Sequence, residues 1–166
     1  MSEKARDEEP RSPAESESSV SELMMPQHVN NLGNVFGGVI LSMVDRAAAV
    51  AAMRHAGRAC VTVSIDRVDF REPIYAGELV TCKARVSFVG RTSMEVWVHV
   101  FAENLLSGTE RHTNNCYLTF VAIDATGRPV PVRPLRLEGA EDEQRSREGR
   151  RRREVRQALD EELANP

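Results

Sequence analysis

Residues 37–55, GGVILSMVDRAAAVAAMRH, constrain the fold of this chain more than any other stretch. Val39, Ile40, Leu41, Met43, Val44, Val50 and Met53, with the alanines at 47–49, 51 and 52, surround most of a helical circumference. Gly57 stands where a helix C-cap is expected. A helix apolar on nearly all sides must be enclosed. After it the hydrophobic period changes from 3.6 to 2. In CVTVSIDRVDF, Val61, Val63 and Ile65 alternate with Thr62, Ser64 and Asp66. In ELVTCKARVSF, Val80, Cys82, Ala84, Val86 and Phe88 share one face. MEVWVHVFAE and NNCYLTFVAID follow, the latter apolar on both faces as a strand enclosed in a sheet or an interface is. A shorter strand candidate at 20–24 is stopped by Pro26. Consecutive strands joined by turns predict antiparallel pairing, and the order predicts an α+β domain. Either one sheet curves around the helix, or a second copy covers what the sheet leaves bare.

The ends have a different composition. Residues 1–19 contain no aromatic and no β-branched side chain, which predicts a disordered tail and no signal peptide. Residues 138–166 are charged and favour helix after Gly149. Arg150 to Arg153 form a basic run, but acidic residues flank it, no aromatic accompanies it and the chain carries net charge −3. A solvated helix with internal ion pairs accounts for it better than a nucleic-acid patch. The domain proper is therefore expected at residues 20–137. No stretch reaches the ~18–20 apolar residues that cross a bilayer, so a soluble cytoplasmic protein with no membrane partner is expected.

Cys60, Cys82 and Cys116 are odd in number, far apart and each within a strand, which reads as apolar filler rather than a disulfide framework or zinc knuckle. His28, His55, His99 and His112 form no HxH or HExxH pattern, so no metal site is expected.

Two features carry chemistry. Gly37 and Gly38 open the helix, where amides without a flanking Cβ can hold an oxygen that gains negative charge. Acyl transfer through a tetrahedral intermediate requires such donors. Asn34 beside them can orient a water or a carbonyl. The same residues also fit tight helix packing with Asn34 as N-cap. The second feature is Asp45, which has Leu41, Ser42, Ala48 and Ala49 as helical neighbours and no local cationic partner. A buried Asp45 is a usable base; alternatively Ser42, Asp45, Arg46, Ala49 and Met53 form a solvated stripe.

Taken together, HVNNLGNVFGGVILSMVDRA, VDFREPIYAGELV, VGRTSMEVWVHV and TNNCYLTFVAIDATGRP resemble the hotdog-fold acyl-CoA thioesterases, in order and from about residue 20 to 134. The resemblance implies a long central helix swaddled by an antiparallel sheet. It implies a homo-oligomer whose dimer unit is often assembled as a hexamer, and hydrolysis of fatty acyl-CoA to free acid and coenzyme A without metal or other cofactor. The family often carries an aspartate where Asn34 stands. An amide does not abstract protons, so the resemblance assigns the acid–base role to Asp45 across a dimer interface. The amides of Phe36 to Gly38 then polarise the thioester, and Asn34 positions water or carbonyl. The turn Gly90-Arg91-Thr92-Ser93 matches the family's nucleotide-contacting turn; on its own it also reads as an ordinary hairpin turn. Phe70 and Pro73 are implied to shape the sheet edge. Two rivals stand beside the hydrolase: a hydratase or dehydratase, for which His28 lies outside any motif, and a non-catalytic acyl-CoA-binding sensor or scaffold.

Overall fold

The computed structural model describes residues 9–66 and 68–164. Strands β1 (Ser18–Leu23), β2 (Cys60–Ile65), β3 (Glu78–Val89), β4 (Ser93–Asn104) and β5 (Thr109–Ala122) form one sheet in the order β1-β3-β4-β5-β2, with every pairing antiparallel. Helix α1 (Gly37–Ala56) leaves the β1 edge and delivers the chain to the β2 edge, so it crosses the whole concave face. This is the expected helix wrapped by a curved sheet. Gly57 closes the helix in the left-handed conformation at φ 70°, its N–H bonding Met53 O.

Alternation along the strands builds the core. Val80, Cys82, Ala84 and Val86 of β3, Met94, Val96, Val98 and Val100 of β4, and Cys116, Leu118 and Phe120 of β5 are buried together. They pack on Met43, Val44, Ala47, Ala48, Ala51 and Ala52 of α1. The alanines let the helix axis approach the sheet closely. Among the described residues register shifts break the alternation at three places, one of them between Val100 and Phe101. Between Val86 and Phe88 the register shifts, so Phe88 leaves the β3 inner stripe and meets the outer helix instead. Between Thr62 and Ser64 a second shift splits the Val61, Val63, Ile65 stripe. Thr62, just before that shift, pairs opposite Phe120 and shares its inward side, toward α1.

The termini correct the sequence expectation. Residues 1–8 of the expected disordered tail lie outside the described residues. Beyond them the segment packs: Ser12, Ser16 and Ser18 are buried. Short hydroxyl side chains achieve this by bonding rather than by apolar area. Ser18 Oγ donates to Ala47 O at 2.6 Å, and Ser16 Oγ accepts from Val86 N at 2.9 Å. At the other end, helix α2 (Ala140–Ala164) carries the expected internal pairs, such as Arg145 with Glu141. One of its faces also docks on the outer side of the sheet. Gly149 is buried against Phe88 and Glu95, the Arg145 guanidinium lies 3.2 Å over the Trp97 ring, and Arg152 pairs with buried Glu95 at 2.8 Å. The basic run is thus partly spent in docking. No helix among the described residues is long and apolar enough to cross a membrane.

Candidate active site

The loop before α1 is built by Asn30. Its Oδ1 accepts from Leu32 N (2.9 Å) and Asn34 N (3.2 Å), and its backbone N–H donates to Asn34 O at 2.8 Å. This turn consumes the oxygen of the Asn30 amide and leaves its NH₂ to serve another partner. Val35 N donates to Ile74 O at 2.8 Å, which ties the loop to the strap 70–74.

Phe36, not Asn34, is the N-cap of α1, and it supplies no side-chain cap. Its own N–H is taken by His28 O at 2.9 Å, so the expected set of amides from Phe36 to Gly38 shrinks to Gly37 and Gly38. As the first two helical residues these have no intrahelical acceptor. Their surroundings differ. A Cβ on Gly37 would meet the Phe70 ring at 3.0 Å, whereas a Cβ on Gly38 would meet nothing within 4 Å. Gly38 is open to an incoming group; Gly37 is roofed by Phe70. A cleft of about 340 Å³ lies here, lined by Asn34, Val35, Gly37 and Ile40 on one side and by residues 70–74 on the other. It shares Arg71 and Glu72 with a second cleft of about 510 Å³ that reaches His112, Asn114 and Tyr117. Arg111 holds the strap, bonding Glu72 (3.2 Å), Pro73 O (3.1 Å) and Glu78 (2.7 and 3.0 Å). Its guanidinium holds the Glu78 carboxyl below the usual carboxylate range.

Asp45 is half-buried, and its Oδ1 accepts from Thr62 Oγ1 at 2.7 Å. Gly38, Ser42, Asp45 and Ala49 lie along one helical face that the sheet of the same protomer leaves uncovered. Seven residues separate Gly38 from Asp45, about 10 Å along the axis. One protomer therefore places acid and amides on a common face without bringing them into contact. The turn Gly90 to Ser93 closes the β3–β4 hairpin, with Gly90 N donating to Ser93 O at 2.8 Å. The strap carrying Ile74 enters β3 at its Glu78 end, so the turn lies a strand of about 35–40 Å away from the helix start. Within one chain these residues do not meet. Sequence reasoning gave Asn30 and Thr62 no role here and Phe70 only a part in shaping the sheet edge. Asn30 was legible as an Asx turn in VNNLGN, but Thr62 lies between two valines that read as the inner stripe, and only the pairing with Phe120 shows that it faces inward.

A long central helix wrapped by a single curved antiparallel sheet defines a protein of the hotdog class. The sequence profile of the thioesterase superfamily matches residues 32–108. An uncharacterized acyl-CoA thioester hydrolase of Bacillus subtilis is 42% identical over 109 residues, covering 66% of this chain and 63% of its own length. The matched segment thus spans a little under two thirds of that relative. An acyl-CoA hydrolase from Staphylococcus aureus, solved with butyryl coenzyme A, coenzyme A and coenzyme A disulfide, is 34% identical with a TM-score of 0.85, covering 93% of this chain and 95% of its own. It has also been solved as variants in which an aspartate, a threonine or an asparagine is replaced by alanine. A hexameric acyl-CoA thioesterase solved in its apo form is 36% identical with a TM-score of 0.86, covering 91% of this chain and 97% of its own. The chain belongs to the thioesterase superfamily, among its acyl-CoA hydrolases.

Proposed function

We propose that this protein hydrolyses acyl-CoA thioesters to free acid and coenzyme A at a site shared between two copies. The observation that carries this is the Thr62–Asp45 hydrogen bond of 2.7 Å on the bare face of α1, in line with the open amide of Gly38. The aspartate, threonine and asparagine replaced in the Staphylococcus aureus variants have the spacing of Asp45, Thr62 and Asn30 in this chain.

The thioester carbonyl oxygen accepts from the N–H groups of Gly37 and Gly38. Asp45 of the neighbouring copy takes a proton from a water that attacks the carbonyl carbon, and Thr62 fixes the carboxylate orientation. The tetrahedral intermediate collapses, the C–S bond breaks, and the departing thiolate is protonated to coenzyme A. Asn30, with its NH₂ free, holds the water or the carbonyl; Asn34 lines the cleft alongside. The reading requires no cofactor, since the base and the hydrogen-bond donors to the carbonyl oxygen are protein groups.

A second copy is supported by the surface. Val61 (43% exposed), Val63 (60%) and Ile65 (41%) sit on the unpaired edge strand β2, and Phe36, Met53 and Phe70 are exposed. Pairing β2 edges would cover them and bring one copy's Asp45 toward the other's amides. The Gly90, Arg91, Thr92 and Ser93 turn of another copy would then hold the nucleotide end of the substrate, with the exposed Arg91 guanidinium on phosphate. Three free cysteines fit the reducing cytoplasm. Free-thiol release from acyl-CoAs of graded chain length tests this reading. Release by the wild type supports it; binding of every ligand with no release on any chain length favours the sensor or scaffold.

A further inference from the structure

In β5, Cys116, Leu118 and Phe120 face the core, so strict alternation would place His112 on that side and Arg111 outside. The register shift between Val100 and Phe101 interrupts this. Val100 pairs with Asn114 and Phe101 with His112, which leaves Thr113 as the extra residue. Thr113 Oγ1 donates to Val100 O at 3.1 Å and holds the bulge. Arg111 thereby pairs opposite fully buried Ala102 and takes its inward side, while His112 joins Phe101 on the outer face. Bulges beside active sites commonly serve to re-aim one side chain.

What Arg111 reaches is the strap 70–74, which belongs to no helix or strand. Its Nη1 and Nη2 fork onto the two oxygens of Glu78, which is 5% exposed, its Nε donates to Glu72, and its Nη2 donates to Pro73 O. Glu78 Oε2 also accepts from Tyr75 N at 3.0 Å, so the same carboxylate ties the end of the strap. Ile74 O accepts from Val35 N, and Tyr75 bridges to Asn34. At its other end the strap carries Phe70, whose ring stands over Gly37 so closely that a Cβ there would meet it at 3.0 Å. One guanidinium of β5 thus fixes a wall that covers a helix-start amide. We propose that Arg111 is a positioning residue of the hydrolysis: it sets the height of the Phe70 roof, which keeps bulk water off the Gly37 N–H that the thioester oxygen uses. This rests on the thioesterase reading. The role requires arginine, because an ammonium is a point charge and cannot hold Glu78 by two parallel bonds while also reaching Glu72 and Pro73 O.

Two variants of the full-length chain test this. Arg111→Lys keeps the charge beside Glu78, and Arg111→Met with Glu78→Gln removes both charges so that no carboxylate is stranded. In each, kcat for thiol release is expected to fall roughly 10- to 100-fold with KM less affected. In a Phe70→Ala background Arg111→Lys is expected to lower kcat by no more than about twofold, because the roof it sets is already gone. Amide exchange is expected to speed up at residues 34–38 and 70–75 and to stay slow in β4. A lowered Tm with kcat per folded chain unchanged makes Arg111 a structural residue only and overturns the proposal, as does an equal loss with and without the Phe70 ring. Unaltered exchange at 70–75 overturns the clamp itself. Failure of the thioesterase reading is distinct from all of these: the wild type itself then releases no thiol.

Discussion

Thr62 Oγ1 donates a 2.7 Å hydrogen bond to Asp45 Oδ1, joining the inward side of the edge strand to the bare face of the central helix. Thr62 takes that inward side as the partner of Phe120, just before the register shift between Thr62 and Ser64. A hydroxyl is a donor of modest strength, and a bond to a charged acceptor contributes about 1.5–3 kcal/mol. Thr62→Val keeps the shape and removes the donor. It should lower kcat by roughly 10- to 100-fold with KM little changed. Steady-state thiol release checks this, and an unchanged kcat would remove Thr62 from the site.

The roof over Gly37 gives a steric prediction. Gly37→Ala brings a Cβ to 3.0 Å from the Phe70 ring, so the ring must move by a few tenths of an ångström. Activity should fall, and Gly37→Ala combined with Phe70→Ala should recover more of it than the two separate losses imply. A double-mutant cycle on kcat/KM reads this coupling. Strict additivity would show that the ring and the helix start do not communicate.

Helix α2 is held by a buried charge pair. Glu95 is 4% exposed, and Arg152 reaches it at 2.8 and 2.9 Å while lying 3.7 Å over the Tyr117 ring. Arg152→Ala strands that carboxylate and should cost roughly 3 kcal/mol, a fall of about 6–12 °C in Tm for a chain of this size. Scanning calorimetry checks it. Glu95→Gln together with Arg152→Met should be milder than Arg152→Ala alone, since no unpaired charge remains.

A histidine pair on the outer face sets a pH dependence. His99 Nδ1 lies 3.3 Å from His112 Nε2, between the Trp97 and Phe101 rings. Burial first, then His112, Arg145 and Arg85, push His99 down to about 4 from its ordinary 6.5, with Glu141 opposing. The unfolded chain therefore takes up this proton before the native state does. The stability His99 contributes is complete above about pH 6.5 and declines as pH falls toward 4. His99→Gln should flatten the Tm-against-pH curve across that window relative to wild type. Parallel curves for the two proteins would contradict the assignment.

The helix, its cap at Gly57, the order of elements along the chain and the inner stripe of β3 as far as Val86 were legible because period and burial agree along those segments. Phe88 was not, because a bulge inserts one residue without any mark in hydropathy; Thr62 was not, because Val61 and Val63 beside it read as the inner stripe yet are exposed. The order of residues 12–18 was hidden for a different reason. Serines gain burial through specific hydrogen bonds to Ala47 O and Val86 N, which composition does not reveal. Gly37, Gly38 and Asp45 stood out as glycines and a charge in an apolar helix. Asn30 and Phe70 did not, since their part depends on where the loop and the strap fold back over the helix start.

The central claim is that one copy's amides and another copy's carboxylate make a single site. Complementation tests it most directly. Asp45→Asn removes the base, and Gly38→Leu blocks the amides; each alone should lose about 10²- to 10⁴-fold of thiol release while the fold persists. In a mixed assembly of the two variants, one shared site carries both defects and the other carries neither. Thiol release should return to about a quarter of the wild-type level on random mixing. Mixed assemblies that stay as inactive as either parent would contradict a site shared between copies.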